Sequence, residues 1–330
     1  MVGGHLTHAS PLSVPAPAHL SPVAGIWTQA LGVRRTPQRG AVCLRCRTGY
    51  DAGVSIVRID SRDDDRLSEF RNVPDPELLV RLGLFVAEGR LVVARLLASG
   101  LETRLLLVTE AALASLEEAL AGQTIPIYVV PQKVMSEVTG FNFHRGCLAI
   151  GVRPPARDWR DVVSHASCPP GSARRSPGCR PTLIVLERVG NVDNIGSIFR
   201  HAAAFSAGGV LLQADCADPL YRKALRTSMG ASLATSYAKV PWPDALEELG
   251  GSGWATVAMT PALDAPQLQD VAASVANRPV AIVLGHEGEG LTRDAIAACT
   301  HRARIAMANG VDSVNVATAA AIALYERNRV

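Results

Sequence analysis

The chain has 330 residues, 48% of them hydrophobic and 19% charged, which gives about two domains of ordinary globular composition and excludes a disordered or fibrous protein. No apolar run reaches the ~18 residues of a membrane span, because arginines interrupt even the richest stretch, residues 78–107. The net charge of +3 is concentrated in residues 1–53, where five arginines (Arg34, Arg35, Arg39, Arg45, Arg47) stand against one acid (Asp51). The nearly neutral remainder makes no bulk electrostatic case for a nucleic-acid partner.

Residues 1–53 are rich in Pro, Gly, Ala and His, carry no helical or strand period, and are expected to be a disordered extension or a mis-assigned start. They lack the basic start, apolar core and cleavage site of a secretory signal. Seven scattered cysteines make no disulfide framework, which points to a reducing cytoplasm. Cys43 and Cys46 form a lone CxxC with no second pair at zinc-ligand spacing, so no metal is expected.

Residues 54–60 read as a first strand or an extended lead-in. Over residues 75–99, Leu78, Leu79, Leu82, Phe85, Leu91, Val92 and Leu96 recur at helical spacing, with Glu88-Gly89 between two helical pieces. Residues 104–109 and 125–130 read as strands around a helix at 110–120, and residues 140–152 as a turn running into a strand. Residues 54–154 thus form a small α/β module. Residues 155–181, with Ser, Pro, Gly and several arginines, are expected to be an interdomain linker.

From residue 182 to the end, strands (182–189, 209–213, 234–240, 255–260, 280–285, 303–307) are interleaved with helices (194–206, 244–249, 292–298, 314–327). Continuous apolar strands such as Ala281-Ile-Val-Leu284 fit a mostly parallel sheet covered on both faces. A ligand is then expected outside the carboxyl ends of the strands.

Three strand-to-loop junctions of this second domain carry unusual polar content. In Asn191-Val-Asp-Asn194-Ile-Gly196-Ser-Ile-Phe-Arg200, Asn194 is placed to cap a helix and Gly196 permits close backbone approach. Arg200 lies nearly two turns further on, read as roughly the same face. In Gly285-His286-Glu287-Gly288-Glu289-Gly290, three glycines at a strand end let backbone amides face a ligand and hold Glu287 in the loop, with His286 expected to point outward. The spacing is neither the dinucleotide fingerprint nor a phosphate loop. The third junction is Ile305-Ala-Met307-Ala-Asn-Gly310-Val-Asp-Ser313-Val314-Asn315, where Ser313 or Asn315 opens an alanine-rich helix.

In this order and at these separations, the three segments resemble the SpoU (TrmH) family of SPOUT RNA ribose 2′-O-methyltransferases. The resemblance covers residue 182 to the C-terminus, and residues 54–154 resemble the family's small RNA-binding domain of ribosomal-protein L30e type. It implies an α/β SPOUT domain with a parallel sheet and a deep trefoil knot, S-adenosylmethionine as cofactor, an RNA substrate and a homodimer. By motif position, Gly285, Ile305 and Val314 would contact the cofactor through backbone groups, with Thr260 and Met307 nearby. Asn194, Arg200, Glu287, Ser313 and Asn315 would form the catalytic and substrate-orienting set. Arg200 is the catalytic candidate, acting as a base or as a cation that lowers the hydroxyl's pKa; the cation role is preferred because guanidinium stays protonated to a pKa above ~12. Arg145, Arg222, Lys223 and Arg226 would hold RNA phosphates. The chain departs from the family pattern at Val192 and Ala306, where proline is usual, and at Val314, where leucine is usual. An RNA-binding module of the same fold without methyl transfer is the alternative.

Overall fold

The computed structural model describes residues 55–71, 75–140, 145–167, 180–308 and 311–329. The extension expected at residues 1–53, the Cys43/Cys46 pair, much of the expected linker and Gly310 lie outside the described residues.

The lead domain runs β1 (Ile56–Arg58), α1 (Asp75–Arg81), β2 (Leu84–Glu88), α2 (Arg90–Ala98), β3 (Thr103–Val108), α3 (Glu110–Ser115), α4 (Glu117–Leu120), β4 (Ile127–Val129), α5 (Gln132–Thr139) and β5 (Cys147–Val152). Its sheet has the order β1-β4-β3-β5-β2, with β1, β4 and β3 mutually parallel and β5 antiparallel to both β3 and β2. The expected helical pair over residues 75–99 is corrected by β2, which is buried at all five positions. A run buried on both faces has no period of its own and mimics a helix segment. Gly83 and Gly89, both at positive φ, bracket it and separate it from the helices on either side.

The second domain continues α6 (Trp159–Ser167), β6 (Thr182–Leu186), α7 (Val192–Ala204), β7 (Gly209–Gln213), α8 (Arg222–Thr227), β8 (Tyr237–Val240), α9 (Asp244–Gly251), β9 (Ala255–Met259), α10 (Leu268–Ser274), β10 (Val280–Leu284), α11 (Arg293–Ala298), β11 (His301–Ala303) and α12 (Val316–Arg329). All six strands are parallel, in the order β11-β9-β10-β6-β7-β8. Ile195, Ile198 and Phe199 of α7 pack on one face with Val271 of α10 and Ala320 and Leu324 of α12. Trp159 and Val162 of α6 cover the other, with Leu246 of α9 and Ala295 of α11. Helices on both faces explain why the strands read as unbroken apolar runs.

Several element boundaries differ from expectation, two of them by a whole segment. Part of the expected linker is α6, whose Trp159, Val162 and Ala166 are buried against β6, β7 and β8. The expected strand at 303–307 is shifted: among the described residues β11 is an edge strand paired with β9 alone, and after a single bridge from Arg304 to Gln267 the chain leaves the sheet. Residues 305–308, although apolar, have no strand beside them among the described residues.

The domains share a core. Leu220, Leu225 and Leu233, around α8, pack among Val92, Val93 and Leu96 of α2. The backbone N–H of Arg222 donates to Asp75 Oδ2 at 2.8 Å, and Arg153 pairs with the nearly buried Asp218 at 2.6 Å. α8 is therefore a wedge fixed between the two sheets.

Candidate active site

β6 begins the sheet, β7 and β8 extend it to one side, and β10, β9 and β11 lie on the other. The strand order reverses between β6 and β10, and the crevice at the carboxyl end of such a point is where open α/β sheets bind ligands. Asn191 follows β6 there, and Glu287 follows β10.

One polar chain crosses that point. Glu287 Oε1 accepts from the Asn194 side-chain amide at 2.9 Å and from the Asn191 backbone N–H at 3.1 Å. Asn194 Oδ1 accepts from Asn315 Nδ2 at 2.9 Å, and Asn315 Oδ1 accepts from the backbone N–H groups of Ala317 at 2.9 Å and Thr318 at 3.3 Å. An ionised carboxylate only accepts, so Asn194 must turn its NH₂ to Glu287 and its oxygen to Asn315, which fixes both amide orientations. Burial pushes the Glu287 carboxyl up, but hydrogen bonds from Asn194 and from the amides of Glu287, Asn191 and Gly190 outweigh it and hold the group below the usual carboxylate range. Glu287 is therefore a fixed anion and a poor proton acceptor at neutral pH.

The sequence expectations are met in part. Asn315 caps α12, as one of its two expected openers, while Ser313 is exposed. Asn194 does not cap α7: Asn191 does, accepting from the Asp193 N–H at 2.8 Å, and Asn194 is a buried residue of the first turn. Nor does Arg200 share its face. Six residues at 3.6 per turn amount to about 600°, a 120° offset; Asn194 is 7% exposed, whereas Arg200 is exposed and forms no hydrogen bond or ion pair with the described residues. Its neighbour is Arg95 of α2, whose pKa is lowered first by burial and then by the Arg200 charge.

Close approach at Gly196 is to α8. A Cβ there would lie 2.7 Å from the Ala224 carbonyl oxygen and 2.8 Å from Thr227 Cβ. Gly285 likewise serves its own loop, since a Cβ would strike the Gly290 backbone at 2.3 Å. That loop is closed by paired hydrogen bonds between His286 and Gly290, and the amides of Gly288 and Glu289 donate to His286 Nδ1 at 3.0 and 3.2 Å. Those two amides, expected to face a ligand, are turned inward, and His286 organises the turn.

Thr260, Gly285, Ile305, Met307 and Val314 sit in the loops that leave three adjacent strands, β9, β10 and β11. Gly285 is buried, Thr260, Ile305 and Met307 are half-buried, and Val314 is 37% exposed. Sequence reasoning missed Glu187, whose side chain is 1% exposed at the end of β6. It accepts from Trp242 Nε1 at 2.8 Å and from the Thr292 N–H and hydroxyl at 2.8 and 2.7 Å, tying the glycine loop to β6. A lone acid directly after a continuous apolar strand was its available signal.

The basic cluster is only partly open. Lys223 is 2.6 Å from Asp193 and fastens α8 to α7; Arg222 faces Asp75 at 3.6 Å. Arg145 and Arg226 flank the buried Glu88 at 3.4 and 3.6 Å. Among the described residues no group of three or more His, Cys, Asp or Glu side chains is placed to hold a metal, and no helix is long and apolar enough to cross a membrane.

This combination of a mixed-sheet lead domain and a six-stranded parallel sheet is the fold of solved RNA methyltransferases. An AdoMet-bound rRNA methyltransferase from Sinorhizobium meliloti superposes with a TM-score of 0.68 at 23% identity, over 83% of this chain and 98% of that one. Residues 181–325 match the SpoU rRNA methylase family. A protein of Mycobacterium tuberculosis (strain H37Rv), named as an uncharacterized tRNA/rRNA methyltransferase, is 41% identical over 86% of this chain and 96% of its own length. A Synechocystis protein of the same naming is 31% identical over 65% of this chain and 71% of its own. The chain belongs to the SpoU rRNA methylase family.

Proposed function

We propose that the protein transfers a methyl group from S-adenosylmethionine to a ribose 2′-hydroxyl of ribosomal or transfer RNA. The observation that carries this is the Asn315–Asn194–Glu287 chain. It joins all three motif segments at the reversal point of the sheet, in a chain of this family. The residues proposed for the cofactor fit its chemistry: Ile305, Met307 and Val314 offer apolar surface for an adenosine, Thr260 adds a hydroxyl, and none of the four is charged.

S-adenosylmethionine supplies an electrophilic methyl group. The protein's part is to hold the ribose oxygen in line with it and to favour loss of the hydroxyl proton as the bond forms. Glu287 and the two asparagines are engaged with one another and keep the loops in register. Arg200, cationic and unpaired among the described residues, stabilises the developing charge on oxygen, while water or a phosphate takes the proton. The lead domain is the RNA-binding module of L30e type, and Arg145 and Arg226 hold phosphates. The return of α12 from the β11 edge to pack on α7 supports the trefoil path. The exposed Tyr325 of α12, stacked edge-on against Phe205, supports a homodimer through this face. The setting is the cytoplasm, where the substrate RNA resides.

The test combines calorimetry and turnover. The protein should bind S-adenosylmethionine, and Arg200→Ala should lower turnover at saturating RNA by roughly a hundredfold or more while leaving cofactor affinity nearly unchanged. Absence of cofactor binding by folded protein would instead favour the RNA-binding module, as would RNA affinity without transfer.

A further inference from the structure

The expected RNA-binding arginines divide into those the fold consumes and those it leaves available, and the division defines a second site. A cleft of about 390 Å³ opens between the start of α2 and the side of α8, lined by Glu88, Arg90, Arg145, Arg226 and Met229 among others. Three guanidinium groups converge on it against a single carboxylate. That carboxylate, Glu88, is 3% exposed and lies beneath Arg145 and Arg226, whose side chains are 50% and 39% exposed. Its contacts with them, 3.4 and 3.6 Å, are loose ion pairs that leave guanidinium donors free toward solvent. Arg90 is exposed and pairs with no described residue.

The cleft belongs to both domains. Arg90 and Arg145 come from the lead domain and Arg226 from α8, and the shared leucine core around α8 fixes their separation. Its Met229 wall lies toward Arg200: the Met229 carbonyl accepts from Arg95 Nη1 at 2.5 Å, and the Arg200 charge acts on Arg95. In the cleft itself Arg90, Arg145 and Arg226 stand against the one buried carboxylate of Glu88.

We propose that this cleft is a subsite for a phosphodiester of the RNA backbone, held by Arg90, Arg145 and Arg226, which sets the distance between the bound backbone and the ribose presented at Arg200. The proposal rests on RNA being the substrate. Guanidinium forks suit phosphate oxygens and carry no sequence information, so the subsite positions and does not select. Glu88 keeps Arg145 and Arg226 in place before the phosphate arrives.

The probe is a single-stranded RNA of about 24 nucleotides and mixed sequence, followed by anisotropy over roughly 50 to 200 mM KCl, with S-adenosylmethionine affinity measured in parallel. Arg90→Ala should weaken RNA binding about fivefold and lower the salt slope by about 0.7. Arg90→Glu should weaken it further, and cofactor affinity should hold in both. Because Arg226→Ala removes one of the two cations over a buried acid, it is paired with Glu88→Gln, and the folded double variant should also lose RNA affinity. Wild-type affinity and slope in Arg90→Ala, or in the folded double variant, would overturn the subsite. Wild-type protein that takes up S-adenosylmethionine but holds no RNA at low salt would overturn the RNA reading itself, and the subsite with it.

Discussion

Asn194 is the residue through which the three loops are joined, and replacing it by alanine or aspartate separates hydrogen bonding from shape. Its side chain donates to an ionised acceptor and accepts from a neutral amide, both at 2.9 Å. Such bonds contribute about 1.5–3 and about 0.5–1.5 kcal/mol respectively. Water reaches Glu287, which favours the lower ends, so Asn194→Ala should cost about 2 kcal/mol. For a folded body of this size that is a fall in Tm of roughly 4–8 °C. Aspartate has the same shape but sets a second carboxylate against the first, where the two cannot both ionise without cost and one pKa is raised. A carboxyl whose folded pKa lies above its unfolded value weakens the fold at high pH and is relieved as pH falls. Scanning calorimetry should therefore find Asn194→Asp less stable than Asn194→Ala at pH about 7.5, with the order narrowing or reversing near pH 5. An aspartate variant as stable as wild type at neutral pH, with no pH dependence of the difference, would refute the network.

The Glu287 carboxyl, held below its usual range, contributes stability that is complete above its unfolded pKa and lost as pH falls through the folded one. The Tm gap between wild type and Glu287→Gln should hold at neutral pH and shrink below about pH 4, read by thermal scans across the acid range. Arg327 is 3% exposed and donates to the carbonyls of Val275, Ala276 and Arg278 beyond the end of α10. Arg327→Ala strands those carbonyls and should cost about 3 kcal/mol by urea denaturation. Arg222→Ala removes only the half-buried partner of Asp75, so it should cost about 1 kcal/mol and leave the salt dependence of RNA binding unchanged in the anisotropy assay.

The parallel sheet of the second domain was legible because its strands are continuous apolar runs, and the three polar strand ends singled out in the sequence supply Asn194, Glu287 and Asn315, which the structure joins by hydrogen bonds. The misplacements have physical causes. β2 is buried on both faces and carries no alternation, so apolar spacing alone assigned it to a helix. α6 was passed over although Trp159, Val162, Val163 and Ala166 stand at helical spacing, because it runs straight into a Ser, Pro and Arg stretch and was merged with it. Two asparagines three residues apart can both cap, and the sequence does not say that Asn191 takes the cap while Asn194 turns into the site. The sequence groups Arg222 and Lys223 with Arg226 as a cluster that would hold phosphates; their partners Asp75 and Asp193 are remote in sequence and adjacent only after folding. The same limit hid Arg90 and Arg95, which gain meaning from the packing of α8 against α2.

The most direct test of the account is the chemical position of the transferred methyl group. RNA lacking the modification is incubated with labelled S-adenosylmethionine and the protein, digested to nucleosides and resolved by mass spectrometry. Label is expected in a 2′-O-methylated nucleoside, with resistance to alkaline cleavage at that linkage, and both should appear roughly a hundredfold more slowly with Arg200→Ala. Label on a base, or no transfer from a protein that binds both S-adenosylmethionine and RNA, would contradict it.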